Sequence, residues 1–538
     1  MYKVLFTLIW FFSCFGFSQN TYFVDVNGNN NNSGSILNPF KTIFKASQVA
    51  QPGDFVYVRG GVYRNTDFND GDIWNGSSAG RIICNGTASQ YITFQPYLNE
   101  EVIFEFDANY GIQISNSSYV IFKGFKVKGI GENITYAEAQ ANWGLYKLPD
   151  GSIHDITGNE SLMPLPSGTT KPSYYNGRGL VANSCHHVKL INNTIYNCPS
   201  SGIRGEQSDY IEIIGNIVYN NTYWTTQGVG AITIAEATNI DNINDVKFKI
   251  EQNLVYENEN KLISWNPSKS FITYVIDEGS GIFLTRNKDT YLFGKIKISN
   301  NIVYKSGASG IVSHFTDRAI ITFNTLYYNG ANNDGFPGGI GINNTDGVII
   351  ANNIVYARPT KWAIGTTAQP NTNYILENNI VYNENSSQSV YNNISSGWVN
   401  VNPQFINETA SDFNLQPISP AINSSSINHS ENFDFYNNFR MDVINDIGAI
   451  EYTSSLNNQD FSNIEIQIFP NPSTNQITIL SKQHIKILGI YNLIGQELRN
   501  WKIESETNYE IKLDISNFES NVYFIKTSLG SKLFLKNN

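Results

Sequence analysis

Asn193-Thr-Ile-Tyr196 is the first of seven copies of one phrase that recurs between His187 and Tyr391. The other copies are Asn216-Ile-Val-Tyr219, Asn253-Leu-Val-Tyr256, Asn301-Ile-Val-Tyr304, Asn324-Thr-Leu-Tyr327, Asn353-Ile-Val-Tyr356 and Asn379-Ile-Val-Tyr382. Successive asparagines are 23, 37, 48, 23, 29 and 26 residues apart, so the longer intervals contain inserted loops. A short minimal period with variable additions is typical of a solenoid.

Short β segments flank each copy of this phrase. Alternating apolar segments come before it, as in Val188-Lys-Leu-Ile191 and Ile296-Lys-Ile-Ser299. A Gly-Ile or Ala-Ile pair follows the first six copies, at Gly202-Ile203, Ala231-Ile232, Gly281-Ile282, Gly310-Ile311, Gly339-Ile340 and Ala363-Ile364. Three short strands cannot bury their inward faces alone, but stacked coils can.

We therefore predict a parallel β-helix. Each coil should add about 4.8 Å of parallel sheet, and the recurring asparagines should form a hydrogen-bonding ladder at a turn. The alternatives are a β-sandwich or a propeller with accidental repetition. A propeller blade needs a period of roughly 40 to 50 residues, and the minimal spacing of 23 residues is too short for that.

The charge of the chain limits its partners. The 538 residues carry a formal net charge of -11, which argues against nucleic acid as a ligand. An anionic substrate could bind only at a local basic patch.

The N-terminus predicts export. Residues 1–18 combine Lys3, an apolar run from Val4 to Phe12, and the small residues Gly16 and Ser18 at positions that a signal peptidase favours. No later segment approaches the roughly 18 apolar residues of a membrane helix. We expect a soluble mature chain in which Cys84, Cys185 and Cys198, an odd number of thiols, lie buried.

The chain divides into four predicted segments: a signal peptide (1–18), a parallel β-helix with an N-terminal helical cap (19–453), a Ser/Asn/Asp-rich linker (454–463) and a small antiparallel β-sandwich (464–538). The capping helix should begin with Asn38 as its N-cap and Pro39 at its first position.

The N-terminal motifs carry a family resemblance. Tyr22-Phe-Val-Asp-Val-Asn-Gly28, Asn38-Pro-Phe-Lys-Thr-Ile43, Pro52-Gly-Asp54 and Arg59-Gly-Gly-Val-Tyr63 resemble the opening of secreted right-handed parallel β-helix proteins of the pectate-lyase-like superfamily. The resemblance implies an all-β, right-handed solenoid. That superfamily contains polysaccharide lyases, glycoside hydrolases and uronate epimerases, so it implies action on a polysaccharide without choosing the reaction.

The C-terminal motifs resemble the sorting domain of the type IX secretion system of Bacteroidetes. The matching strings are Phe469-Pro-Asn-Pro-Ser473, Ile490-Tyr-Asn492, Gly495-Gln496, Asp514-Ile-Ser516 and Val522-Tyr-Phe524, with Lys532 and Lys536 near the end. The segment Glu519-Ser-Asn521 departs from the pattern, since a glycine before Val-Tyr-Phe is usual. The resemblance implies a secreted or cell-surface protein with the type IX machinery as a partner.

Three insertions leave the repeat at one point: residues 129–178, Asn221 to Gln227, and Asn258 to Val275. Loops that leave a solenoid at one corner wall a groove. Two of them carry Trp224 and Trp265, which we predict to bind substrate by stacking on sugar rings; packing of a loop onto the β-helix is the alternative.

Alignment of the Gly-Ile strands places residues in outward columns. The first column reads Arg204, Thr233, Phe283, Val312, Gly341 and Gly365, and the second reads Glu206, Ala235, Thr285, His314, Asn343 and Thr367. Most of these residues are small or neutral. Arg204, Glu206 and His314 stand out, with Arg286 just after Thr285 and Asp277 just before its strand.

These residues suit β-elimination from a uronate. A lyase must neutralise the carboxylate and remove the C5 proton. Arg204 or His314 could be the base, and Arg286 or a calcium ion held by Asp277 and Glu278 could be the neutraliser.

A glycoside hydrolase is the first alternative, for which Glu206 and Asp277 are the best carboxylate pair. A non-catalytic adhesin or glycan-binding protein is the second. In that case Arg204 and Glu206 would be a surface ion pair, and His314 and Asp277 would be ordinary exposed and turn residues. In each reading we expect a monomer.

Overall fold

The computed structural model of the protein describes residues 19–65, 78–142, 144–156, 162, 166–169, 173–225, 228–263, 276, 278–332, 336–366, 370–385, 398–440, 444–453, 466–481, 484–492, 495–528 and 530–537. The chain forms two compact units, Met1–Tyr452 and Thr453–Asn538.

The first unit is a solenoid of three long sheets, which we call sheets 1, 2 and 3 in the order in which a coil visits them. In the described residues, sheet 1 has eleven strands: Thr21–Val24, Phe55–Val58, Ile92–Pro96, Ser118–Lys123, His186–Ile191, Asp209–Ile214, Val246–Glu251, Lys295–Ser299, Ile320–Thr322, Ile349–Ala351 and Ile375–Glu377. Sheet 2 also has eleven: Gly61–Arg64, Val102–Glu105, Lys126–Lys128, Thr194–Tyr196, Ile217–Tyr219, Leu254–Tyr256, Ile302–Tyr304, Thr325–Tyr327, Ile354–Tyr356, Asn379–Tyr382 and Trp398–Val399. Sheet 3 has nine: Ser78–Ile82, Tyr110–Ser115, Arg178–Asn183, Ile203–Glu206, Gly230–Ala235, Ser280–Thr285, Ile311–His314, Ile340–Asn343 and Ile364–Gly365.

Every pairing within these three sheets is parallel, and the predicted columns of sheet 3 are confirmed. The inward isoleucines pair in register from Ile203 through Ile232, Ile282, Ile311 and Ile340 to Ile364. All six are buried, in a core that runs the length of the solenoid. Because side chains alternate along a strand, the residues next to each isoleucine in its own strand line the outer face.

The asparagines of the repeated phrase form the predicted ladder at the turn between sheets 1 and 2. From Asn193 to Asn353, the backbone N–H and the Nδ2 of each residue donate to the Oδ1 of the next asparagine, at 2.9 to 3.1 Å. All seven side chains are buried. Their amides therefore satisfy one another and nearby carbonyls instead of water.

The tyrosines of the same phrase stack on the outer face of sheet 2. Tyr196, Tyr219, Tyr256 and Tyr304 have ring centroids 5.0 to 5.2 Å apart and nearly parallel planes. From Tyr304 onward, a closing segment (residues 401–452) covers this face with Phe405, Phe413, Leu415 and other apolar residues. This segment contains the antiparallel strands Phe405–Asn407 and Asp412–Leu415.

The N-terminal helix spans Ile43–Val49, so the predicted start at Asn38 was wrong. Thr42 is its N-cap and accepts a hydrogen bond from the Lys45 N–H at 3.2 Å. Asn38 instead closes a turn with Ser35, which lets Phe40 bridge to Val24 of sheet 1. The helix packs on the first strand of sheet 3.

The remaining elements of this unit lie in connections. They are the helix Tyr136–Ala141, the 3-10 turns Gly131–Asn133, Ser173–Asn176 and Glu408–Ala410, and the strand pairs Leu145–Lys147 with Ile153–Asp155 and Thr345–Asp346 with Asn371–Thr372. No helix in the described part of the chain is long and apolar enough to cross a membrane. Cys84, Cys185 and Cys198 are buried free thiols, as predicted.

The second unit has two antiparallel sheets. One contains Gln467–Phe469, Gln476–Leu480, Glu510–Asp514 and Lys502–Glu506; the other contains Glu497–Leu498, Ile487–Asn492, Asn521–Thr527 and Gly530–Lys536. Residues from both sheets, including Ile477, Leu513, Ile525 and Phe534, share one buried core.

Candidate active site

All three insertions connect sheet 2 to sheet 3. They occupy residues 129–177, 220–229 and 257–279, each directly before a strand of sheet 3. Ile134, Ala139, Tyr175, Trp224 and Leu262 from these segments form a small core of their own. The described parts of the insertions therefore pack into a wall at the N-terminal ends of the sheet 3 strands.

Trp224 is part of this wall, which corrects its predicted role in sugar stacking. The residue is only 5% exposed, and its indole N–H donates to the Gly131 carbonyl at 2.8 Å. A ring enclosed in this way has no free face for a sugar, so the alternative of loop packing describes Trp224. Trp265 lies outside the described residues.

Arg204 and Glu206 form a close ion pair on the outer face of sheet 3. Arg204 Nε and Nη2 donate to the two carboxylate oxygens at 3.2 and 2.9 Å. Arg178 Nη1 lies 3.7 Å from Glu206 Oε2. Burial favours a higher pKa for Glu206, but Arg204, Arg178 and Arg286 outweigh it and lower the pKa. Glu206 is therefore ionised at neutral pH.

Arg178 was not among the sequence-predicted site residues. Its strand, Arg178–Asn183, pairs in register with Ile203–Glu206, with Leu180 opposite Ile203. Gly179-Leu180 is therefore an earlier member of the Gly-Ile series. The sequence contains this Gly-Leu pair, but the pair directly follows the aperiodic insertion, which conceals that it belongs to the series.

His314 lies three rungs further along the same face. Its Nδ1 is 3.0 Å from Thr285 Oγ1. Phe283 stacks against the imidazole with ring centroids 5.8 Å apart, and Phe315 meets it edge-on at 4.6 Å. Burial, and then the positive charge of Arg286, lower the pKa of His314. These contacts fix an imidazole that is neutral at pH 7.

Arg286 stands at the edge of the same face, one coil before His314. Its Nε donates to Glu236 Oε1 at 2.8 Å, and half of its side chain is exposed. Its guanidinium therefore stays in place while still open to a ligand.

The predicted site residues share one face, but they do not form one cluster. Glu206, Ala235, Thr285 and His314 are consecutive members of one column, which separates Glu206 from His314 by about 14 Å at ~4.8 Å per rung. Arg178, Arg204 and Glu206 therefore lie at one level and His314 at another, and the charge of Arg286 acts on both Glu206 and His314.

The predicted calcium ligands are described only in part. Asp277 lies outside the described residues, and Glu278 accepts a hydrogen bond from the Val229 N–H at 3.1 Å. Within the described residues, no group of three or more His, Cys, Asp or Glu side chains could hold a metal ion. Calcium needs six to eight oxygen ligands, and one engaged carboxylate does not supply them, so this site stays a prediction.

Comparisons with known proteins agree with the architecture. Residues 22–159 match the family model described as Pel9A-like, right handed beta helix region, and residues 467–537 match the secretion system C-terminal sorting domain. Residues 348–437 match a model described as disaggregatase related. No curated protein sequence matches the chain significantly. A sorting domain of this description indicates secretion or attachment to the cell surface.

Several solved structures match the chain at low sequence identity. Pectate lyase Pel9A is 16% identical, with a TM-score of 0.44, over 81% of this chain and 98% of its own. GH136 lacto-N-biosidase from Eubacterium ramulus is 12% identical, with a TM-score of 0.39, over 71% and 68%. Alginate lyase from Paenibacillus sp. str. FPU-7 is 12% identical, with a TM-score of 0.35, over 71% and 98%.

Proposed function

We propose, for a chain that carries a Pel9A-like right-handed β-helix region and a C-terminal secretion sorting domain, that it cleaves an acidic polysaccharide by β-elimination on the outer face of sheet 3. The observation that carries the proposal is the imidazole of His314, held by Thr285 and Phe283 and lying one coil after the half-exposed guanidinium of Arg286. The fold neighbours include both lyases and glycoside hydrolases, so the fold does not choose the reaction.

Arg286 is the proposed neutraliser. Its guanidinium binds the carboxylate of the uronate and so makes the C5 proton of that sugar more acidic. Glu236 holds the Arg286 side chain through its Nε, and the two terminal nitrogens make no hydrogen bond to any described residue. The planar pair of N–H donors suits a carboxylate.

His314 is the proposed base. When Nδ1–H donates to Thr285 Oγ1, Nε2 carries the lone pair, and Nε2 makes no hydrogen bond to any residue that the structure describes. The lowered pKa keeps this lone pair free at neutral pH. Nε2 takes the C5 proton, the electrons of the C5–H bond form the C4–C5 double bond, and the C4–O4 bond breaks. The departing O4 takes a proton from the imidazolium or from water. Phe283 and Phe315 hold the ring plane, and the partly exposed Phe315 gives the sugar an apolar neighbour.

Hydrolysis fits these groups less well. A hydrolase needs one carboxylic acid that is protonated at working pH. Glu206 is ionised and held by Arg204 and Arg178. A hydrolytic mechanism would need Asp277 as its acid.

The test is to incubate the full chain with alginate, pectate and other uronate polysaccharides and to follow ultraviolet absorbance. Elimination creates an unsaturated sugar that absorbs, whereas hydrolysis creates new reducing ends without that absorbance. We expect absorbance on at least one uronate polymer. Reducing ends alone would contradict elimination, and glycan binding without any product would identify a binding protein.

A further inference from the structure

Arg178 has an unusual environment for a guanidinium. Its side chain is 21% exposed, and its single ion pair, to Glu206, spans 3.7 Å. It makes no hydrogen bond to any residue that the structure describes. A guanidinium has five N–H donors, and none of the five has a hydrogen-bond acceptor among the described residues.

Glu206 does not satisfy Arg178, because it is already engaged by Arg204. Both Glu206 oxygens accept hydrogen bonds from Arg204, at 2.9 and 3.2 Å. Burial and the positive charge of Arg204 both lower the pKa of Arg178, although an arginine remains charged at neutral pH. Two guanidiniums thus face one carboxylate, and this group has one surplus positive charge.

The surplus is notable in a chain whose formal net charge is -11. The side chains of Arg178 and Arg204 are largely buried, and such low-dielectric surroundings strengthen their attraction for an anion. An added carboxylate would balance the charge and accept the open N–H groups in a bidentate geometry.

We propose that Arg178 binds the carboxylate of a second uronate of the same substrate chain. The inference rests on the proposed function, because it takes Arg286 as the site of the first carboxylate. The strand of Arg178 lies three rungs from the strand that precedes Arg286, so the two strands are about 14 Å apart along the axis. Arg286 turns back to Glu236 on the preceding coil, which brings its guanidinium toward Arg178. The substrate class is therefore a polyuronate in which several consecutive sugars lie along sheet 3.

The experiment uses the full chain with His314→Gln, which binds substrate without consuming it. Calorimetry measures Kd for uronate oligosaccharides of increasing length and for carboxyl-reduced counterparts. Arg178→Gln is compared with Arg64→Gln, which removes a guanidinium paired with Glu105 on sheet 2. We expect Arg178→Gln to raise Kd for long acidic oligosaccharides about 10-fold to 100-fold, and Arg64→Gln to leave it unchanged.

The carboxyl-reduced oligosaccharides make the test specific. They should bind Arg178→Gln and its parent equally, since no carboxylate is present. Equal Kd values for Arg178→Gln and its parent on long acidic oligosaccharides would overturn the inference, as would equal losses on acidic and reduced ligands. An altered circular dichroism spectrum would mark misfolding, and Arg178→Lys, which keeps the charge without the planar fork, then serves as the second variant and should show an intermediate loss.

The inference and the proposed function can fail separately. If the wild-type chain forms no unsaturated product but Arg178→Gln still weakens acidic binding selectively, the carboxylate site stands and elimination falls. If product forms while Arg178→Gln binds as its parent does, elimination stands and the second carboxylate site falls.

Discussion

The outer faces of sheets 2 and 3 are built from the same coils, but one repeats the same residue along a column and the other does not. On sheet 2 one column repeats tyrosine in coil after coil, and the rings stack on one another. On sheet 3 the column of Arg204 continues as Thr233, Phe283 and Val312. Repetition stabilises the stack, because like side chains satisfy each other. A column that does not repeat gains no stability from stacking like side chains, so its residues can differ from coil to coil and can take part in catalysis.

The first way to break this comparison is to remove His314. His314→Ala should lower turnover about 100-fold to 10,000-fold, because a positioned general base is lost. His429→Ala is the matched control, since His429 pairs with Glu377 away from sheet 3. Initial rates from ultraviolet absorbance measure the effect, and similar rates for the two variants would contradict a catalytic role for His314.

The second way is to interrupt the repeated ladder. Asn301→Ala removes the Oδ1 that accepts from the backbone N–H and Nδ2 of Asn253. Buried unsatisfied donors cost about 1–3 kcal/mol each, so we expect the free energy of unfolding to fall by about 3 kcal/mol in guanidinium titrations.

A control for the ladder is Asn244→Ala, which removes an exposed asparagine from a loop and should change stability by less than about 0.5 kcal/mol. The rate per folded molecule should be the same in both asparagine variants. A lower rate with normal stability in Asn301→Ala would mean that the repeated column also serves catalysis.

A third test sharpens the link between neighbouring coils of sheet 3. The pKa of His314 is lowered by burial and then by Arg286, so its free-base form persists to lower pH, and activity should fall as pH drops through that pKa. Arg286→Gln removes the second cause and should raise the pKa. The acid limb of the pH–rate profile should therefore move to higher pH. An unmoved limb would mean that the charge of Arg286 does not affect the pKa of His314.

The smallest expected effect is that of chelation. If Arg286 alone neutralises the carboxylate, EDTA should leave the rate unchanged. The measurement compares initial rates with EDTA and with added calcium. A rate that EDTA abolishes and calcium restores would favour the predicted ion at Asp277 and Glu278 as the neutraliser.

The periodic part of the fold, which is the stack of coils, can be predicted from the sequence. Each coil buries the inner face of its three short strands, and this repeated burial fixes the register between coils. The column from Ile203 to Ile364 can therefore be predicted residue by residue. The insertions have no period, and the burial of Trp224 depends on a distant carbonyl at Gly131. Nothing local in the sequence distinguishes an indole that packs from one that stacks on a ligand.

The site was predictable only as a face. Column alignment places Arg204, Glu206 and His314 on one side of the solenoid and gives their order along it. It does not show which charged side chains reach across coils, as Arg286 does to Glu236. Arg178 was missed because the long insertion hides the coil to which it belongs. Asp277 and Trp265 lie outside the described residues, so their roles remain predictions.

The asparagine ladder has a direction, because the backbone N–H of each residue donates to the Oδ1 of the asparagine in the next coil. The Nδ2 groups donate both ways, to that Oδ1 and to a backbone carbonyl of the preceding coil. A coil thus completes the one before it. Shortening the chain from its C-terminal side would leave a backbone N–H without its asparagine acceptor at the new end. Shortening it from the N-terminal side would instead leave an Oδ1 without its donors and an Nδ2 without one of its carbonyl acceptors. The two ends of the ladder therefore leave different groups unpaired, and each later coil supplies the acceptor for a backbone donor of the coil before it.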